Sequence, residues 1–244
     1  MQNLAPQIRG VTARRAEEIR ETARSYLVQL AELNKRGELP KRYTYLELLR
    51  DAPELVPGRL ISTKLEIVYE FPREVSDSEI GGIIDPVSDT IRVASKHSYP
   101  RRRFTIAHEI GHAVLHPGIG RHRDLLLDGS IRGSARPLCE READIFASGF
   151  LMPRRYLQKK FFEFFGGPLL GWETDAEICR YVSEKLNRRI STKQFRAMSP
   201  LERGVIIASL DYFRGTYFGE PLHEMFAVSK EAIAIELHEI GMIA

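Results

Sequence analysis

Cysteine is nearly absent from the 244 residues: Cys139 and Cys179 stand forty positions apart and form neither a metal-type nor a redox-type pair. That excludes a disulfide framework, suits a reducing compartment, and leaves both as buried thiols. No stretch approaches the roughly 18 consecutive apolar residues of a membrane span. The opening residues Met1 to Arg9 lack the charged segment and apolar run of a secretory signal. The expectation is a soluble, cytoplasmic chain with no membrane partner. Internal repeats and low-complexity tracts are missing too. So is a strong charge bias: the net charge is +3, and ten Lys/Arg against six Glu in residues 1–50 give a local +4 that leaves −1 elsewhere. A solvated helix face accounts for that excess, so direct nucleic-acid binding is not expected. What is present is 43% hydrophobic residues, enough to bury a real core in one domain with appendages.

From residue 12 to 35, Ala16, Ile19, Ala23, Tyr26, Leu27, Leu30 and Leu33 recur at three-and-four spacing, which predicts an amphipathic helix stopped by Gly37 and Pro40. Thr44 with Glu47 predicts a capping box before a short helix. Leu65, Ile67, Tyr69 and Phe71 alternate with polar residues as a strand does, and 80–84 and 90–94 read as two more strands around the turn 85–89. Beyond them the chain turns helical, with helices over 104–115 and 138–152. Further helix starts are expected at Thr174 with Glu177, at Ser199 with Pro200 and Glu202, and at Ser229. The fold class is therefore α+β, mostly helical, with a small sheet next to one buried helix. The expected division is an N-terminal helical segment (1–60), a core of sheet and helices (61–153), and a helical region packing on it (154–244).

The informative segment is Ala107-His108-Glu109-Ile110-Gly111-His112-Ala113-Val114-Leu115-His116. Histidines four apart on a helix stack one turn over another, so both imidazoles can hold one cation. Glu109, beside the first ligand, is placed to act as general base toward a water there. The bare H-E-x-x-H pattern is common by chance. Here, however, it interrupts an otherwise apolar helix, where two imidazoles and a carboxylate without a cation would be costly to bury. A third ligand has to come from Glu140, Glu142, Asp144, His116 or His122. On the helix from Leu138, Glu140 lies about 60° from the centre of the apolar face and Glu142 about 100°. Glu140 is thus the expected ligand, and Glu142 is expected on a solvated face. Ala143 and Ala147 would let the two helices approach closely. Asp144 could orient one ligating histidine from behind, and His116 lies near the site with its role open.

Three stretches resemble the ImmA/IrrE-type metallo-endopeptidases: Arg103 to His112 with Leu115-His116, Glu140 to Ala147 running into Leu151-Met152-Pro153, and Phe226 to Ala232 through Gly241. The resemblance implies a zincin-like fold with His108, His112 and Glu140 as ligands and Glu109 as general base. The implied cofactor is zinc, with manganese as the alternative in the cell. The implied substrate is a helix-turn-helix (XRE-type) transcriptional repressor, cut once to derepress stress or mobile-element genes. Asp144 stands where the family commonly has Asn, and the stretch from Pro153 to Val228 is longer than usual. An extended substrate is expected to add to a sheet edge between Ile80 and Ala94. The aromatic run 161–172 reads as core before partner surface. A competing reading takes Ile178 to Phe195 as two short helices of a DNA-binding module and the zinc as structural. Such zinc sites are usually closed by four protein ligands and have no use for Glu109, so the enzyme reading is preferred.

Overall fold

Ala16, Ile19, Ala23, Leu27 and Leu30 are buried along one face of helix α1 (Ala13–Arg36), the face that the three-and-four spacing marks out. Thr12 caps its first turn, and Gly37 closes it in the left-handed conformation at φ 77°. The computed structural model describes residues 10–68, 80–85, 88–117, 122–125, 137–168, 172–185 and 189–243. These fall into two compact units, Met1–Leu151 and Met152–Ala244.

In the first unit α2 (Tyr45–Leu55) starts at the expected capping box, with Thr44 accepting from the Glu47 N–H and Glu47 accepting from that of Thr44. Pro53 sits inside this helix and brings no N–H for the carbonyl of Leu49. The buried Arg103 guanidinium replaces it: Nη2 donates to Leu49 O at 3.1 Å and Nε to Arg50 O at 2.9 Å. Burial pulls this guanidinium down to about 10.

Strands β1 (Lys64–Val68), β2 (Ile80–Asp85), β3 (Thr90–Ala94) and β4 (His122–Leu125) form one four-stranded sheet in the order β1-β3-β2-β4. β1 runs parallel to β3, and β2 is antiparallel to both β3 and β4. This corrects the expected docking edge: β2 and β3 are interior strands, and the edges are β1 and β4. Sequence alternation reports which faces are apolar, not which strand stands outermost. It also misjudges β1, where Ile67 is 44% exposed because an edge strand is covered less completely. The proposed continuation through Tyr69 and Phe71, and Pro86-Val87 of the turn, lie outside the described residues.

Helix α3 (Tyr99–Leu115) packs on β2 and β3, and on its other side against α4 (Leu138–Leu151), which α1 also covers. α3 begins earlier than the apolar run suggests, because Pro100 presets its first turn; Ser98 stands at the N-cap without a side-chain bond. The fold is thus α+β and zincin-like, as expected. No helix among the described residues is long and apolar enough to cross a membrane.

The second unit contains α5 (Arg154–Phe165), α6 (Trp172–Lys185), α7 (Thr192–Ala197), α8 (Pro200–Ala208), the hairpin β5 (Tyr212–Phe213) and β6 (Thr216–Tyr217), α9 (Leu222–Met225) and α10 (Lys230–Glu239). Ser199 and Ser229 cap their helices as expected. Thr174 instead lies inside the first turn of α6, an ordinary shift for a boundary read from a cap signal alone. Most of the aromatic run packs inward: Phe161 and Phe165 are buried, and Phe164 stacks on Phe218 at 4.1 Å. Phe162, at 46% exposure, faces solvent.

Candidate metal centre

α3 is buried from Thr105 to His112, because sheet and helices cover nearly its whole circumference. Only very close neighbours could enclose it so fully, and two glycines provide the approach. A Cβ on Gly111 would lie 3.2 Å from Ala143 Cα, so α4 crosses almost in backbone contact. A Cβ on Gly82 of β2 would meet Thr105 Cγ2, so the sheet comes up close against α3 at Thr105, with Glu109 Oε1 3.4 Å from the same point.

Four residues apart on α3, His108 and His112 bring their rings to 4.7 Å between centroids and their Nε2 atoms to 3.0 Å. Glu140, in the first turn of α4, completes the group. Its Oε2 is 3.3 Å from His108 Nε2, and its Oε1 is 3.4 Å from His112 Nε2. Donors around a tetrahedral cation at about 2.0–2.1 Å stand about 3.3–3.4 Å apart, so this triangle of two imidazole nitrogens and one carboxylate fits a divalent ion. Burial pushes the Glu140 carboxyl up, but hydrogen bonds and charge from His108 and His112 more than reverse this, leaving it well below the usual carboxylate range. Glu109 is fully buried on the same helix.

Behind the ligands, Asp144 Oδ1 lies 3.0 Å from His108 Nδ1. His116, the residue that ends α3, places Nδ1 3.3 Å from His112 Nδ1 and Nε2 2.9 Å from Glu142 Oε2. Glu142 requires a correction. Its side chain is 10% exposed against 12% for Glu140, so it does not lie on a solvated face. A helical wheel of α4 alone cannot register that α1 covers its second side. Arg15 of α1 grips Glu142 through Nε at 2.8 Å and Nη2 at 3.0 Å, and its hydrogen bond, ahead of that from His116, lowers the Glu142 carboxyl. Arg15 carries no local signal in the sequence. Gly111 does: a glycine inside a helix costs about 1 kcal/mol and hints at a close approach. His122 stands in β4, and its side chain is outside the described residues.

Fold and site together define a zincin-like domain with a two-histidine, one-glutamate cluster. Residues 70–167 match the family model described as Peptidase_M78, IrrE N-terminal-like domain. Over these residues, less than half of the chain, it is similar to the ImmA/IrrE-type family, a metallopeptidase class. No curated protein matches the sequence. A solved Mycobacterium tuberculosis transcriptional regulator is similar at 18% identity and a TM-score of 0.35, over 74% of this chain and 49% of its own. The chain thus spans about half the length of that protein.

Proposed function

We propose that this protein is a zinc-dependent endopeptidase that makes a limited cut in a helix-turn-helix transcriptional repressor of the XRE type, in the cytoplasm. The observation that carries the hydrolytic part is the triangle of His108, His112 and Glu140 donors, sized for one cation and flanked on α3 by Glu109. The repressor as substrate is supported by the family resemblance alone.

His108, His112 and Glu140 would hold a divalent cation, which would supply Lewis acidity toward a water and a peptide carbonyl. Glu109 would serve as general base toward a water there, taking its proton and returning it to the departing amine. Its full burial keeps bulk solvent from the carboxylate. Asp144, accepting from His108 Nδ1–H, directs the other ring nitrogen forward. With a cation bound in place of the protons they share with Glu140, His108 and His112 would hold position only, their Nε2 lone pairs turned toward it.

The test is incubation of the purified chain, with Zn²⁺ or Mn²⁺, and the repressor encoded beside its gene, read by mass spectrometry with Glu109→Gln as control. A discrete cut that disappears in Glu109→Gln supports the proposal. Gel shifts of DNA that persist in Glu109→Gln, with no cut in any repressor, would replace it with the binding-module reading.

A further inference from the structure

The two histidines of the cluster are supported differently from behind. His108 meets the carboxylate of Asp144, whereas His112 Nδ1 meets a second imidazole, Nδ1 of His116. Two ring nitrogens at 3.3 Å can share only one proton between them, and nothing at that contact decides which holds it. The decision lies further out. His116 Nε2 is 2.9 Å from Glu142 Oε2, and Glu142 is held on both oxygens by Arg15. A guanidinium cannot be deprotonated in a protein, and a carboxylate paired to it only accepts. A neutral His116 therefore donates from Nε2, which leaves its Nδ1 lone pair toward His112. His112 then donates from Nδ1 and presents the Nε2 lone pair to the side where His108 and Glu140 converge.

We infer that Arg15, Glu142 and His116 are positioning residues that fix the tautomer of His112 for cation binding, with Arg15 setting the sense of the chain from helix α1. The inference rests on the proposed metal centre and extends it. The chain runs outward from the cluster: His116 and Glu142 are nearly enclosed at 8% and 10% side-chain exposure, while Arg15 is 41% exposed. It also joins positions 127 residues apart, so the N-terminal helix takes part in the site without supplying a ligand.

The experiment is a double-mutant cycle read by metal affinity. Zn²⁺ dissociation constants are measured by chelator competition on the full chain for wild type, Arg15→Gln, His116→Ala and the double variant. Imidazole ¹⁵N shifts of the Zn²⁺-loaded protein report the tautomers. Removing such an outer partner costs about 10–100-fold in metal affinity. Arg15→Gln is expected to weaken Zn²⁺ at least about tenfold and to add little once His116 is already alanine. Arg15→Lys should recover part of the loss. In wild type, His116 is expected to show Nε2–H and His112 Nδ1–H.

If Arg15→Gln lowers thermal stability but leaves zinc affinity unchanged, or if its effect simply adds to that of His116→Ala, Arg15 only ties α1 to α4 and the inference is overturned. An Nδ1–H signal on His116 would overturn it as well. Should wild type itself take up no Zn²⁺, it is the metal centre that fails, a result distinguishable from both.

Discussion

Asp144 and His108 meet across two helices, Oδ1 to Nδ1 at 3.0 Å, with both side chains almost wholly enclosed. An asparagine can present the same oxygen, whereas alanine cannot. Asp144→Asn is therefore expected to keep metal affinity within a few-fold of wild type, and Asp144→Ala to lose about 10–100-fold. Chelator competition separates the two; equal losses would mean that the charge, not the hydrogen bond, matters.

Gly111 sets how near α4 comes to α3. An added methyl would press on Ala143 Cα and Phe146 Cβ at 3.2 Å and on Ala143 O at 3.3 Å, none of them the end of a flexible side chain. Gly111→Ala should cost about 1–3 kcal/mol in stability. It should also weaken Zn²⁺ binding, because the helix that moves away carries Glu140. Denaturant unfolding and chelator competition, run on the same preparation, check both parts.

The guanidinium of Arg103 satisfies carbonyls in a helix that Pro53 interrupts. Arg103→Met should destabilise by about 3 kcal/mol, since it strands buried acceptors. Adding Pro53→Ala restores a backbone N–H for Leu49 O and should recover part of that loss. If the double variant is no more stable than Arg103→Met in urea unfolding, the carbonyls are not what Arg103 serves.

Cation binding stabilises a folded state by about 2.7 kcal/mol at a hundred times the dissociation constant. On the proposed mechanism Glu109→Gln keeps the whole Zn²⁺-dependent rise in Tm while losing cleavage, and His112→Ala loses both. Thermal melts with Zn²⁺ and with a chelator decide this. A Glu109→Gln protein without the rise would make Glu109 a ligand.

In the second unit the Tyr181 hydroxyl donates to Asp211, and burial, followed by this bond, pushes the phenol up to about 12 from 10. A folded pKa above the unfolded one gives stability that is complete below about pH 10 and fades as pH rises toward 12. Tyr181→Phe should lower Tm at neutral pH, with the deficit shrinking across that window. A deficit independent of pH would show that the phenol's ionisation is not coupled to folding.

Much of the architecture was open to reading because its causes are local. The face of α1, the capping boxes at Thr44 and Ser199, and strand β3 follow from spacings of two to four residues, and those spacings survive into the structure. His108 over His112 is of the same kind, since one helical turn dictates it. α5 escaped because no Ser, Thr or Asp precedes it; Pro153 holds the N-cap position instead. The start of α6 was misplaced by a cap signal at Thr174 that the helix does not use.

By itself, then, the sequence determined helix α1, the cap of α2, strands β2 and β3, the buried helix α3 and the paired imidazoles on it, because each depends on neighbours within a turn or a pleat; β4, the β5–β6 hairpin and α5 carried no such local signal. Tertiary structure alone decided that β2 and β3 lie inside the sheet, that Glu142 is enclosed, and that Arg15 reaches it from 127 positions away. Those outcomes depend on which surfaces of separate elements cover one another, and no periodicity along one element records what will be packed against it.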